Sequence, residues 1–128
     1  MVSQSIFHKV KSWKSFKSQL KTLSSKQKGD AFELLTKYYL QLHPTYITQI
    51  KDVWLLSEVS TKIHKKLNLP DTDEGIDLIA ETKEGTYWAI QCKYKEDETK
   101  SLTRKELSTF TDLAFNICEN IELGLVCT

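Results

Sequence analysis

A β-hairpin decides the fold that this sequence predicts, and its residues 76–94 read IDLIAETKEGTYWAIQCKY. Two runs rich in β-branched and aromatic residues, 76–81 and 86–94, favour strands and flank a polar turn. Gly85 in that turn can adopt the positive φ that a tight connection requires. The two strands are therefore expected to pair in the antiparallel direction.

The length of the turn sets which residues face each other across this hairpin. If residues 83–85 form a three-residue loop, Thr82 pairs with Thr86. Counting back along both strands then places Asp77 opposite Gln91, with their Cβ atoms about 5 Å apart. A loop of another length would shift the register by one residue.

Alternation of side chains puts Gln91 and Lys93 on one face of the second strand. Asp77 lies between Ile76 and Leu78, where an unpaired carboxylate would be costly, so it needs a cation nearby. That cation is either Lys93 or a bound metal. The other face of the second strand is apolar and is expected to join the core: Trp88, Ile90, Cys92 and Tyr94.

The residue types around Asp77 suit a hard metal ion. Its carboxylate, the amide oxygen of Gln91 and the backbone carbonyl of Cys92 are oxygen ligands of the kind that Mg²⁺ prefers, whereas zinc would require His or Cys. A metal held there activates water, and the Lys93 ammonium can orient that water for phosphodiester hydrolysis. The alternative is a surface hairpin with an Asp77–Lys93 ion pair and a solvated Gln91.

Length and composition indicate one soluble domain. The chain has 128 residues, 40% of them hydrophobic and 27% charged, which is typical of a globular protein. No apolar run approaches the roughly 20 residues that span a bilayer, so a cytoplasmic location is expected. Cys92, Cys118 and Cys127 lack a paired C-x-x-C spacing and are expected to be reduced thiols.

The charges are distributed unevenly. Residues 1–28 contain seven lysines and no acid, which leaves 11 basic and 17 acidic residues in the remainder. Apolar residues recur in this segment at helical steps, so it is expected to form a basic amphipathic helix. Such a helix can attract a polyanion, or it can simply present a solvated face. Its apolar stripe consists of Ile6, Val10, Trp13, Phe16, Leu20 and Leu23.

Helical and strand patterns alternate along the rest of the chain, which predicts an α/β fold. Thr103 and Glu106 form a capping-box pattern at the start of the last helix. The stripe of that helix is expected to comprise Leu107, Phe110, Ala114 and Ile117. The other predicted elements are a helix over 25–42, extended structure over 46–59, a short helix within 57–67 and a strand over 121–127.

Three motifs occur in a characteristic order: Gly29-Asp30-Ala31-Phe32-Glu33, Asp73-Glu74-Gly75-Ile76-Asp77 and Gln91-Cys92-Lys93. This order resembles the PD-(D/E)XK nuclease superfamily in its Mrr-like branch, in which Gln replaces the usual second acid. The stretch from Val53 through Asp77 is similar to the N-terminal nuclease domain of type ISP restriction-modification enzymes. The resemblance covers about residues 28–128.

The resemblance implies a restriction-endonuclease-like α/β/α core with a mixed central sheet over residues 29–128, preceded by the basic helix over 1–28. Residues 1–128 would then be a single nuclease domain at the N-terminus of a longer polypeptide. Covalently linked helicase, methyltransferase and target-recognition domains would follow, and ATP would act only through the translocase among them.

The resemblance also assigns roles to residues. Asp77 and Gln91 would bind Mg²⁺, for which Mn²⁺ can substitute, together with the Cys92 carbonyl; Lys93 would be the catalytic lysine. Glu33 would be a further acid, although an i, i+4 ion pair with Lys37 explains it equally well. Gln91 lowers the negative charge of the site, which leaves the number of metals open. Residues expected to contact double-stranded DNA are Lys26, Lys28 and Lys95.

Three functions follow from these expectations. The first is a Mg²⁺-dependent DNA endonuclease within an ATP-dependent restriction-modification enzyme. The second is a DNA-binding or docking module of the same fold without turnover, which would bind DNA but never cleave it. The third is a stand-alone repair or junction-resolving nuclease, which would prefer structured DNA substrates.

Overall fold

The computed structural model describes residues 13–71, 75–94 and 103–127. Lys95 and the first half of the predicted N-terminal helix, residues 1–12, lie outside the described residues. In the described part, none of the helices combines the length and the apolar character needed to cross a membrane.

The order of elements alternates helices with strands. The helices are α1 (Trp13–Leu20), α2 (Ser25–Leu42), α3 (Pro44–Ile47), α4 (Thr61–Leu67) and α5 (Arg104–Asp112), with a 3₁₀ turn at Leu56–Glu58 and a π-helical turn at Leu113–Ile117. The strands are β1 (Ile50–Leu55), β2 (Leu78–Thr82), β3 (Tyr87–Cys92) and β4 (Ile121–Cys127).

The four strands form one mixed sheet in the order β1-β2-β3-β4. The pairs β1/β2 and β2/β3 are antiparallel, whereas β3 and β4 run parallel. A parallel pair needs a crossover connection, and α5 lies within the segment that joins these two strands. The mixed central sheet expected from the sequence is therefore confirmed.

Helices cover both faces of the sheet. On one face, Leu40 of α2 packs in a cluster with Val53, Trp88 and Ile90. On the other face, residues of α4 and α5 pack with the alternate strand positions, among them Leu67, Phe110, Ile79 and Ala89. Since both faces of β3 are buried, the face that carries Gln91 is also apolar at Ala89 and Tyr87, and only the end of the strand is polar.

The single basic helix predicted over 1–28 is wrong in its C-terminal part. Helix α1 ends at Leu20, and α2 begins at Ser25 as the sequence predicts. Ser24 interrupts the helix because it caps α2: Gln27 N donates to Ser24 Oγ over 3.2 Å, and Ser24 N donates to Gln27 Oε1 over 3.0 Å. Lys26 and Lys28 therefore belong to α2 and are positioned by the domain core.

Two other predictions need correction. Residues 46 and 47, expected to be extended, belong to α3. This helix starts with Pro44, and the first position of a helix favours proline.

The cap of α5 is as expected, since Glu106 N donates to Thr103 Oγ1 over 3.1 Å. Its buried stripe differs: Phe110, Leu113 and Ala114 are buried, whereas Leu107 is about half exposed. Ile117, at the end of the π-helical turn, is also about half exposed because the wider turn rotates it away from the α-helical stripe.

Gly124 in β4 allows α5 and the sheet to approach closely. A Cβ atom at this position would lie 3.1 Å from Phe110 Cε2 and 3.2 Å from Phe115 Cε2. We expect Gly124→Val to lower the free energy of unfolding by about 1–3 kcal/mol, the usual cost of overpacking. Urea unfolding measures it, with Leu123→Val at an exposed neighbouring position as the control; an unchanged midpoint for Gly124→Val would contradict the close packing.

Candidate active site

The hairpin turn has the geometry that the sequence predicts. Thr82 N donates to Thr86 O over 2.8 Å, and Gly85 adopts a φ of 86° in the loop between them. The strands pair in the corresponding register, with Leu78 opposite Ile90. The paired register ends there; Asp77 directly precedes Leu78 and Gln91 directly follows Ile90, so both residues lie at the same end of the hairpin.

Three backbone contacts fix Asp77 at the start of β2. Its N–H donates to Ile90 O over 2.9 Å, and its carbonyl accepts from Leu56 N over 3.0 Å. The carboxylate Oδ2 accepts from Cys92 N over 2.7 Å. The residue is only 8% exposed, so a buried carboxylate is held in one place by main-chain atoms of β3 and of the 3₁₀ turn that follows β1.

Gln91 is equally buried, at 8% exposure, and its Oε1 accepts no hydrogen bond from any residue that the structure describes. Leaving a buried acceptor unsatisfied costs about 1–3 kcal/mol. The solvated Gln91 of the surface-hairpin alternative is thus wrong. An oxygen without a donor in a polar cleft is instead suited to bind a cation.

Asp77, Gln91 and Lys93 line one cleft of about 820 Å³ together with Glu33. The cleft lies between α2, which supplies Glu33, and α5, with the ends of β2 and β3 at its base. Among the described residues, the exposed Lys93 side chain makes no ion pair, which argues against the expected alternative of an Asp77–Lys93 bridge. The four residues predicted to form the site therefore border a single space.

Residues of α5 also line this cleft, and the sequence alone did not identify them. Lys105, Glu106 and Thr109 face it from the side opposite Glu33. Lys28 of α2 lines the same cleft, so lysines border it on both walls. The capping pattern and the apolar stripe predicted this helix, but neither shows that its polar residues border the site.

A second cleft, of about 700 Å³, adjoins the first. Glu33 and Asp77 line both clefts and therefore separate them. Lys26 borders the second cleft, is largely exposed and forms an i, i+4 ion pair with Asp30 over 3.4 Å. The predicted phosphate contacts Lys26 and Lys28 consequently lie in different clefts.

The carboxylates of Glu33 and Asp77 both act on the thiol of Cys92. Burial is the main reason that the pKa of this thiol lies far above its usual range, and these two negative charges raise it further. Burial also raises the pKa of Cys118 and Cys127. All three cysteines are free thiols, and the raised pKa of each favours the protonated form.

Lys37, the expected ion-pair partner of Glu33, is paired with Glu58. Its Nζ lies 2.8 Å from Glu58 Oε1. Burial raises the pKa of the Glu58 carboxyl, but the hydrogen bonds from Lys37 and Leu55 N outweigh this effect and bring it below its ordinary value of 4.5. The contribution of this pair to stability is therefore full above that pH and is lost as the pH falls through the lowered pKa.

The Mrr_cat_2 family of restriction endonucleases matches residues 41–125, well over half of the chain. The chain belongs to this family. The matched range includes Asp77, Gln91 and Lys93, whereas Glu33 precedes it. The resemblance expected from the Asp77, Gln91 and Lys93 motifs is thus confirmed at the level of the family.

A solved structure has a similar fold and sequence. It is an ATP-dependent Type ISP restriction-modification enzyme, LlaBIII, bound to DNA, with 31% identity and a TM-score of 0.58 over 86% of this chain. The chain spans about 6% of the length of that enzyme. No curated protein matches the chain. The restriction-endonuclease-like fold and the resemblance to the type ISP group are therefore confirmed.

In this member of the restriction endonuclease family, Gly75 positions the approach to Asp77. Its φ is 134°, a conformation that side-chain-bearing residues rarely adopt. A Cβ atom there would lie 3.6 Å from Leu113 Cδ2, so the backbone passes close to the helical layer on its way into the cleft. The glycine of the Asp73–Asp77 motif thus serves the backbone path, while residues 72–74 lie outside the described part.

Among the described residues, no three His, Cys, Asp or Glu side chains come together as a metal-binding group. A metal in the first cleft would instead depend on a mixed set of ligands. The carboxylate of Asp77, the amide of Gln91 and a main-chain carbonyl supply such a set, with Glu33 as a second acid at the same cleft.

Proposed function

We propose that this restriction endonuclease domain hydrolyses phosphodiester bonds of double-stranded DNA with the help of a divalent metal ion. The proposed ligands are Asp77, Gln91 and the Cys92 carbonyl, with Glu33 as a further acid. The observation that carries this proposal is the buried Oε1 of Gln91, which accepts no hydrogen bond from a described residue and lines the cleft of Asp77.

The ligand types favour Mg²⁺, with Mn²⁺ as a substitute. Carboxylate, amide and carbonyl oxygens are hard donors, and the protonated Cys92 thiol offers no soft ligand for zinc. When bound, the ion would lower the pKa of a coordinated water and offset negative charge on the attacked phosphate.

The side chains of the cleft support the same reaction. The Lys93 ammonium is proposed to orient the attacking water and to offset charge on the phosphate. The water oxygen forms a bond to phosphorus as one ester bond breaks, and the leaving oxygen acquires a proton. Asp77 keeps its position throughout because main-chain atoms of β3 and of the 3₁₀ turn hold it.

The lysines at the rim are proposed to bind the DNA backbone. Lys28 and Lys105 border the cleft on opposite walls, so a phosphate strand entering it would meet positive charge on both sides. Lys26 is largely exposed and could reach a neighbouring phosphate, and Lys95 keeps its sequence-based prediction. The two sides together would align the strand over Asp77.

We further propose that residues 1–128 form the N-terminal nuclease domain of an ATP-dependent restriction-modification enzyme. The similarity to LlaBIII, of which this chain spans about 6%, supports this context. Helicase, methyltransferase and target-recognition domains would be covalently linked, and ATP would act through them. The domain itself would then cut DNA without selecting the sequence.

Replacing Gln91 by Leu tests the metal site most directly. This variant keeps a similar volume but removes the amide oxygen, so the Mg²⁺ concentration for half-maximal nicking of supercoiled DNA is expected to rise about 10–100-fold. Unfolding in the absence of metal is expected to shift to higher temperature, because the unsatisfied acceptor is gone. Gln91→Glu should instead retain nicking at equal or lower Mg²⁺.

Gln49→Leu is the matched control, since this glutamine is exposed and donates to Thr45 O, away from both clefts. Wild-type Mg²⁺ dependence in Gln91→Leu would overturn the metal assignment. A wild-type protein that binds DNA but never nicks it with Mg²⁺ or Mn²⁺ would support the silent docking module. A strong preference for branched DNA would support a junction-resolving nuclease.

A further inference from the structure

An ion pair between α2 and the 3₁₀ turn lies one helical turn from Glu33. Lys37 Nζ donates to Glu58 Oε1 over 2.8 Å, and the same oxygen accepts from Leu55 N over 2.8 Å. The Lys37 side chain is 16% exposed. Both members of the pair line the second cleft, which Glu33 and Asp77 also border.

Backbone contacts connect this pair to the active site. Leu55 is the last residue of β1 and pairs with Leu78 of β2. The next residue, Leu56, donates its N–H to Asp77 O over 3.0 Å. Glu58 therefore belongs to the same 3₁₀ turn that holds the main chain of Asp77, and its carboxylate anchors the start of that turn through Leu55 N.

The position of Lys37 explains why this arrangement matters. Lys37 follows Glu33 by four residues on α2, the spacing at which a helix ordinarily pairs a glutamate with a lysine. The Glu58 carboxylate draws the ammonium across to the 3₁₀ turn and offsets its charge there. Without that carboxylate, a positive charge in a shielded position would act on Glu33 and Asp77 and would weaken their attraction for a cation.

We propose that Glu58 is a positioning residue that holds the Lys37 ammonium at the 3₁₀ turn and thereby preserves the negative potential around Glu33 and Asp77. This inference rests on the proposed metal site and adds a residue outside the motifs that define it. Glu58 touches neither the proposed metal ligands nor the substrate; it acts through Lys37 and the turn.

Replacing Glu58 by Gln tests the inference, since glutamine keeps an acceptor for Leu55 N and loses the charge. We expect the dissociation constant of Mn²⁺, measured by calorimetric titration of the whole chain, to rise about tenfold, the effect of one partly screened charge. The Mg²⁺ concentration for half-maximal nicking should rise equally, with the rate at saturating Mg²⁺ nearly unchanged.

The double variant Lys37→Met/Glu58→Gln separates charge from simple anchoring. It lacks the ammonium, so Mn²⁺ affinity is expected to return close to that of the wild type. A double variant as weak as Glu58→Gln would show that Glu58 serves only as an anchor and would overturn the proposal. Lys37→Met alone should bind Mn²⁺ at least as tightly as the wild type, and weaker binding would also overturn it.

Glu81→Gln is the matched control, because the Lys51–Glu81 pair, 3.9 Å apart, joins β1 to β2 outside both clefts. Its Mn²⁺ affinity should equal that of the wild type. If Asp77→Asn still binds Mn²⁺ normally, the proposed metal site itself fails. If Asp77 is required and Glu58→Gln binds normally, only the role of Glu58 fails.

Discussion

Asp77→Asn is expected to reduce Mg²⁺-dependent nicking by about 10²–10³-fold, the scale of removing a preorganised charged group from an active site. Asparagine keeps the size of the side chain, and its oxygen can still accept from Cys92 N, which lies 2.7 Å from the carboxylate. The loss would therefore reflect charge and metal binding, not a collapsed hairpin. Plasmid nicking at saturating Mg²⁺ measures it.

Thermal unfolding provides the second measurement for Asp77→Asn. Without metal, the variant should unfold at the same temperature as the wild type or higher, because a buried negative charge that shares both clefts with Glu33 has been removed. The stabilisation that Mn²⁺ gives the wild type should disappear. Asp52→Asn, at an exposed position of β1, is the control; nicking within a few-fold of the wild type by Asp77→Asn would refute the site.

Lys93→Met is expected to lower the rate of nicking by about 10²–10³-fold while leaving Mn²⁺ affinity nearly unchanged. The side chain is exposed at the cleft, and its backbone N–H donates to Cys127 O over 2.8 Å, a contact that the substitution retains. Strand pairing should thus persist. Single-turnover nicking and Mn²⁺ titration together distinguish a catalytic lysine from a metal-site residue.

Lys83→Met is the control for Lys93→Met, since Lys83 is exposed in the turn at the opposite end of the hairpin. It should nick DNA at the wild-type rate. Equal losses of metal affinity and nicking in Lys93→Met would show that this lysine supports the metal ligands. An unchanged nicking rate would remove Lys93 from the reaction.

Much of the site could be predicted because it lies on one hairpin. The turn with Gly85 sets the register, and the register brings Asp77 and Gln91 to the same end of the hairpin by local geometry. The helix over 25–42 and the strand over 121–127 were also predictable from periodicity and capping. These features depend on neighbours along the chain, where sequence patterns carry direct information.

The partner of Lys37 could not be predicted in the same way. Spacing along α2 favoured Glu33, but Glu58 is the residue that binds Lys37, from 21 positions further along the chain. The outcome depends on how β1 and the 3₁₀ turn pack against α2. The end of α1 at Leu20 was equally hard to predict. The lysines and apolar residues continue in helical spacing past Ser24, whereas Ser24 caps α2 and so separates the two helices.

Local sequence patterns alone determined the hairpin and its register. They also determined that Asp77, Gln91 and Lys93 lie close together at one end of it. The tertiary structure decided that Gln91 is buried with an unsatisfied oxygen, that Glu33 and α5 close the cleft around it, and that Glu58 takes Lys37. Burial and charge at this site depend on packing between elements distant in sequence, and no local pattern specifies that packing.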